Sequence, residues 1–204
     1  LKLLILLTVI AVEILLTGAA THTRAQNLLI SPECVSYDAI FDRYLVSCFS
    51  TGRIVAIDPQ GTQSIWKSGL GYCLSSTVYG NAFYVSLGRT IKGFNLVTGS
   101  QVMSVFIPSS HQLDGMDADT SGNLYIADFQ YGGSDDQIFK INLTTHAYWA
   151  FVPPGQGLQE GPQDIAFDRQ NNRLIVVSAY VTPIVAVSLA DSSVTTVFNS
   201  ATVN

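Results

Sequence analysis

From residue 32 onward the apolar positions come in short bursts of β-branched and aromatic character, such as Tyr44-Leu-Val-Ser47, Phe83-Tyr-Val-Ser86, Leu124-Tyr-Ile-Ala127 and Leu174-Ile-Val-Val177. Turn signals punctuate them at Thr51-Gly52, Pro59-Gln-Gly61, Thr98-Gly99 and Ser121-Gly122-Asn123. No stretch sustains the i, i+3, i+4 spacing of an amphipathic helix. The pattern predicts strands throughout.

The bursts repeat. Cys34-Val-Ser-Tyr-Asp38, Ser76-Thr-Val-Tyr-Gly80, Gly115-Met-Asp-Ala-Asp119 and Asp164-Ile-Ala-Phe-Asp168 each precede one of the four runs above. Third strands are expected at Ile54–Asp58, Ile91–Asn95, Ile138–Asn142 and Ile184–Ser188. Fourth strands are expected around Trp66 and over Val102–Phe106, Tyr148–Val152 and Val194–Phe198. From Asp38 to Gly80, to Asp119 and to Asp168 the steps are 42, 39 and 49 residues. A four-stranded unit of this period, met four times, is the signature of an all-β fold, the β-propeller, whose blades bury their faces on one another. The predicted blades are about 32–70, 71–110, 111–157 and 158–204, within a propeller domain over 26–204.

One stretch offers a competing reading. Asp117-Ala-Asp-Thr-Ser-Gly-Asn-Leu-Tyr-Ile-Ala-Asp128 has the ligand spacing of an EF-hand calcium loop. EF-hands need a helix on each side, and neither Pro108–Leu113 nor Phe129–Gly133 reads as one. Within the repeat this stretch is the turn between the first two strands of the third blade.

The first residues follow a different pattern. Lys2 precedes an apolar run from Leu3 to Leu16, broken by Thr8 and Glu13, and small residues follow at Gly18-Ala19-Ala20. That is too short for a stable membrane span and predicts a secretory signal peptide over 1–25, cut after Ala20 or Ala25. The mature chain is expected outside the cytoplasm, secreted or periplasmic.

Charged residues make up 12% of the chain, against about a quarter in an ordinary domain, and the net charge is −5 without a basic cluster. Nucleic acid is excluded as a partner class on this balance. Three cysteines, Cys34, Cys48 and Cys73, match no zinc spacing and read as buried thiols or one disulfide with one thiol left over. Asn142-Leu143-Thr144 is a glycosylation sequon.

Pro32-Glu33 before the first strand, Asp119-x-x-Gly-Asn-Leu-Tyr-Ile-Ala-Asp128, and Gly161-Pro-Gln-Asp-Ile-Ala-Phe-Asp168 followed by Asn172-Arg-Leu resemble the gluconolactonase and senescence-marker-protein (regucalcin) family. NHL-repeat and strictosidine-synthase-like propellers share much of this pattern, which extends over about residues 31 to 200. The resemblance implies six blades, so the four present lead to the expectation of a C-terminally incomplete sequence.

Glu33, Asp114 and Gln163-Asp164 all precede innermost strands, which begin at one face of a propeller, so these side chains are expected to converge at the channel mouth. Oxygen ligands meeting there suit a hard cation. The family resemblance implies a divalent metal at this place, calcium first and zinc second, bound by a Glu, two Asn and an Asp from different blades. Such an ion polarises a lactone carbonyl while an acidic side chain activates water. Carried over, Glu33 matches the glutamate and Gln163 stands where an asparagine is expected. Either Leu113 or Asp114 occupies the third-blade slot, and the fifth-blade aspartate falls beyond Asn204. The resulting candidates are Glu33, Asp114 and Gln163 as metal ligands, with Asp114 and Asp164 as the acids.

No Gly-x-Ser-x-Gly elbow, His-Glu-x-x-His, Cys-x-x-Cys or phosphate-binding glycine loop occurs. His22 falls in the leader, and His111 and His146 lie in predicted loops, His111 near Asp114. The segment Asp128–Gln137 reads as a long loop with three acids and two aromatics, a place where propellers bind. The resemblance implies a hydrolase of a lactone or related ester acting on a small molecule at the channel mouth. A non-catalytic propeller presenting loops to a ligand or protein partner, and a strictosidine-synthase-like lyase or esterase, are the alternatives.

Overall fold

The computed structural model describes residues 27–130, 135–158, 161–179 and 184–199, and the predicted leader lies outside them. Blade 1 comprises β1 (Pro32–Asp38), β2 (Arg43–Cys48), β3 (Arg53–Ile57) and β4 (Gln63–Lys67). Blade 2 comprises β5 (Ser76–Tyr79), β6 (Ala82–Leu87), β7 (Thr90–Asn95) and β8 (Gln101–Phe106). Blade 3 comprises β9 (Gln112–Ala118), β10 (Asn123–Phe129), β11 (Gln137–Asn142) and β12 (Tyr148–Val152). Blade 4 comprises β13 (Pro162–Asp168), β14 (Arg173–Ser178), β15 (Ile184–Ser188) and β16 (Val194–Phe198).

Each blade is an antiparallel meander hydrogen-bonded in sequence order. The first strands stand side by side, β1 against β5, β5 against β9 and β9 against β13, as the innermost strands of a propeller do. The predicted all-β, four-bladed architecture is the one found.

Among the described residues, three cores lie between blades. Leu45, Ile54 and Ala56 of blade 1 meet Phe83, Val85 and Phe94 of blade 2, with Trp66 edge-on to Phe83 at 5.4 Å. Tyr84, Ile91 and Met103 of blade 2 meet Leu113, Met116, Ile126 and Phe139 of blade 3. Tyr125, Ile138 and Val152 of blade 3 meet Ile165, Leu174, Val176 and Val185 of blade 4. Each fully buried Leu or Ile among them stabilises the packed state by roughly 1.5–3 kcal/mol. The period-2 bursts thus act as inter-blade faces.

The turns repeat as faithfully as the strands. Asn95 and Asn142 end third strands and Asp58 directly follows one, and each accepts, through Oδ1, two backbone N–H groups of the following turn at 2.7–3.0 Å. These side chains close the turns locally, the role that suits Asp and Asn there.

Candidate functional site at the channel mouth

Innermost strands begin at the mouth, and in three of them the register slips at the same place. Pro32 pairs with Cys48 and Cys34 with Ser47, leaving Glu33 as the extra residue. Pro162 pairs with Ser178 and Asp164 with Val177, leaving Gln163. In blade 3, Leu113 faces Asp128 and Met116 faces Ile126, so Asp114 and Gly115 share one partner. A bulge turns a side chain out of the alternating pattern, and here each bulge presents its polar residue to the channel.

Blade 2 completes the ring differently. Ser86 N–H donates to Ser75 O at 3.0 Å and Leu74 N–H to Ser86 O at 3.1 Å, so Leu74 holds the place of Glu33, Asp114 and Gln163. One ring at the mouth therefore contains Glu33, Leu74, Asp114 and Gln163. The next ring inward contains Cys34, Ser75, Gly115 and Asp164, and these four with Glu33, Asp114 and Gln163 bound a cavity of about 210 Å³. The sequence alignment of Ser76 with Cys34 is off by one residue, because the register makes Ser75 the equivalent.

The third-blade slot is settled by burial. Leu113 is fully buried in the core between blades 2 and 3, whereas Asp114 lines the cavity. Asp114 is only 7% exposed and accepts no hydrogen bond among the described residues. Its carboxyl is pushed up to about 7, first by burial and then by the nearby Glu33 and Asp164 carboxylates. It is a buried acid without a partner, facing a cavity lined by two more acids.

Asp164 opens toward the channel, and one of its oxygens accepts the Ile165 N–H at 2.9 Å. Burial in the channel wall raises its pKa, the Ile165 N–H lowers it, and Asp117 raises it further. Glu33 and Gln163 are exposed. All four predicted residues therefore converge. Among the described residues, however, no three His, Cys, Asp or Glu side chains stand close enough together to hold an ion.

Other acids are engaged in structure. Asp119 accepts from the backbone of Ser121 and Asn123, from Asn123 Nδ2 at 2.7 Å and from the Tyr125 hydroxyl at 3.1 Å. Burial raises its pKa, but these donors outweigh it and hold the carboxyl below the ordinary range. The calcium-like stretch is a hairpin turn whose ligands are its own donors. Asp117 Oδ2 accepts the Phe167 N–H at 2.8 Å, joining blades 3 and 4.

Asp128 and Phe129 belong to β10 and Gln137 opens β11, so the predicted long loop is shorter than expected, with 131–134 outside the described residues. Asp128 is fully buried and accepts the backbone N–H groups of His111 and Gln112 and the Gln137 amide. His111 Nδ1 lies 3.3 Å from Asp128 rather than on Asp114. The three cysteines are free thiols: Cys48 and Cys73 are buried, and half-buried Cys34 lines the cavity.

A second, shallower cavity of about 230 Å³ sits just outside the first and adds Phe49, Gln112 and Phe129 to Glu33, Leu74, Asp114 and Gln163. Sequence reasoning missed Cys34, Ser75, Leu74 and Phe49 here. Cys34 directly follows Glu33, shifting the second repeat by one residue brings out Leu74 and Ser75, and Phe49 follows β2 directly.

No family model matches the chain, and no curated protein matches it in sequence. Solved propellers match in shape. A structure of the nidogen/laminin complex superposes with a TM-score of 0.71 at 14% identity, covering 80% of this chain and 63% of that one. Streptogramin B lyase gives 0.68 at 12%, covering 84% and 56%. A gluconolactonase from Xanthomonas campestris gives 0.67 at 12%, covering 81% and 60%. At these identities the likeness is one of fold, and the chain spans between 56% and 63% of the length of these three.

Proposed function

We propose that this propeller binds a divalent cation at its channel mouth, calcium first and zinc second, and hydrolyses a lactone or related ester held there. The observation that carries this reading is Asp114, buried and without a hydrogen bond beside Glu33 and Asp164. Glu33 and Asp164 raise the proton affinity of Asp114, and with the Gln163 amide oxygen these carboxylates offer hard donors around a cavity that no positive group lines among the described residues. Glu33 and Gln163 are exposed and free to turn toward Asp114, the movement that a closed ligand set requires.

A bound cation supplies polarisation of the ester carbonyl. The chain's own residues supply the rest. Asp114 exchanges its proton near neutral pH, the range in which a carboxyl serves as acid or base. Asp164, oriented by Ile165 N–H, holds a second acid on the channel wall for a water molecule. With residues 1–25 read as an export signal, the activity belongs outside the cytoplasm.

Hydrolysis of δ-gluconolactone and simple aryl or alkyl lactones, measured with calcium, zinc, manganese or EDTA, tests the reading. Cation-dependent turnover that falls at least a hundredfold in Glu33→Gln is expected. Turnover unaffected by EDTA, or absent with every metal, sinks it. A second reading, a non-catalytic propeller presenting its mouth to a small molecule or protein partner, draws on the lack of any three donors already in ligand geometry. Ligand binding that persists in Glu33→Gln without turnover in either protein favours that reading.

A further inference from the structure

The acidic ring has an apolar lip on one side. Phe49 lines the outer cavity, and its ring stacks on Tyr72 with centroids 5.0 Å apart and planes inclined by 23°. Tyr72 is 66% exposed and Phe49 36%. Leu74 and Phe129 continue the apolar wall toward Asp114. Two loops hold the aromatic pair in place. Phe49 N–H donates to Ser31 O at 2.8 Å, and Leu70 N–H donates to Gly52 O at 3.1 Å. Gly52, at φ +59°, lies so close to Gly71 that a Cβ there would approach the Gly71 nitrogen to 2.7 Å. The lip is thus built against its neighbours before any ligand arrives.

Among the described residues no Lys, Arg or His lines either cavity, so no side chain there attracts an anionic ligand. A polyhydroxylated ring would turn hydroxyls toward Phe49, Leu74 and Phe129, where they would lose water without gaining partners. An apolar ring or chain would instead cover the stacked pair and gain from burial and aromatic contact. Buried, unpartnered Asp114 marks where the polar end of the same molecule goes.

We infer that the channel mouth selects a neutral lactone or ester bearing an aryl or alkyl substituent rather than a sugar lactone, with Phe49 and Tyr72 as the selecting residues. This rests on the hydrolase reading for the carbonyl end only; the lip is a binding feature in its own right.

The test compares the full chain with Tyr72→Ser and Phe49→Ser, both changes at exposed loop positions, in calcium buffer. Dihydrocoumarin, phenyl acetate and δ-gluconolactone serve as substrates, and the lactam analogue of dihydrocoumarin serves as a ligand for calorimetry. Dihydrocoumarin is expected to be the better substrate than δ-gluconolactone, with its KM rising about five- to tenfold in each variant while kcat stays within about twofold, the range for losing one aromatic contact. Lactam binding that weakens by the same factor, with no turnover of any lactone, supports the lip and removes the hydrolase reading. Preference for δ-gluconolactone, variants with unchanged KM and lactam affinity, or no lactam binding at all overturns the inference, and turnover in those cases leaves the hydrolase reading standing.

Discussion

Gly115 lies directly against Asp164: a Cβ at position 115 would overlap the backbone of Gln163 and Asp164 and come within 2.7 Å of the Asp164 carboxylate. The side chain is absent because blade 4 approaches blade 3 closely here, which brings Asp114 and Asp164 to one cavity. Gly115→Ala is therefore expected to lower stability by about 3 kcal/mol or more, because backbone cannot yield as a side chain tip does. At this chain size that corresponds to a fall in Tm of roughly 6–12 °C. An unchanged thermal melt would contradict the close approach.

Asp114 makes the stability of the cation-free protein depend on pH. The folded-state pKa is raised to about 7, chiefly by burial, while an unfolded aspartate titrates near 4. The folded state holds this proton more tightly, so the contribution is full below about pH 4 and is lost as pH rises through about 7. In EDTA, unfolding free energy is expected to fall between pH 5 and pH 8 by on the order of a few kcal/mol. Asp164 is raised in the same direction, so its contribution too is lost as pH rises. Asp114→Asn should flatten it and exceed the wild type at pH 8. Denaturant titrations at the two pH values decide, and equal slopes in both proteins would refute the assignment.

How much of this was legible in the sequence varies with scale. Period-2 bursts and turn residues define the four blades, and β12, β15 and β16 match their expected ranges residue for residue. The inter-blade cores follow, since Leu45, Ile126 and Leu174 fall where alternation puts an inward face. The bulges do not follow from any pattern of residue types. Whether Leu113 or Asp114 faces the channel depends on one extra residue in β9, and a one-residue slip exchanges the two faces. For the same reason Ser75 and Leu74 escaped notice. The Phe49–Tyr72 stack joins two blades and has no local signal. Asp128 read as a loop acid because its partners, at His111-Gln112 and at Gln137, come from two segments separated in sequence.

Asp128→Ala tests that clasp. The change removes the acceptor for two backbone N–H groups and the Gln137 amide at a fully buried position. A loss of roughly 3–5 kcal/mol is expected, with Asp128→Asn milder because one carbonyl acceptor survives. Calorimetric melts of both variants read the difference. Two variants as stable as the wild type would show that the clasp contributes nothing.

The three thiols should separate by accessibility. Cys48 and Cys73 have no exposed surface; burial raises both, Cys73 to about 11 with a further push from Cys48. Cys34 lines the cavity at the channel mouth. At pH 8 iodoacetamide is expected to label Cys34 in the native chain at least ~100-fold faster than the other two, and all three after unfolding. Peptide mass mapping identifies the site. Fast native labelling at Cys73 would contradict the buried placement.

Calcium titration by isothermal calorimetry, comparing the wild type with Asp114→Asn and Asp119→Ala, reaches the central claim most directly. The two aspartates separate the channel mouth from the calcium-like hairpin turn, where Asp119 is saturated by its own donors. One site per chain is expected in the wild type, retained in Asp119→Ala and weakened at least tenfold in Asp114→Asn, which removes a full ligand charge. Binding that survives in Asp114→Asn but disappears in Asp119→Ala would return calcium to the hairpin turn, and no binding in the wild type would remove the cation from the mouth altogether.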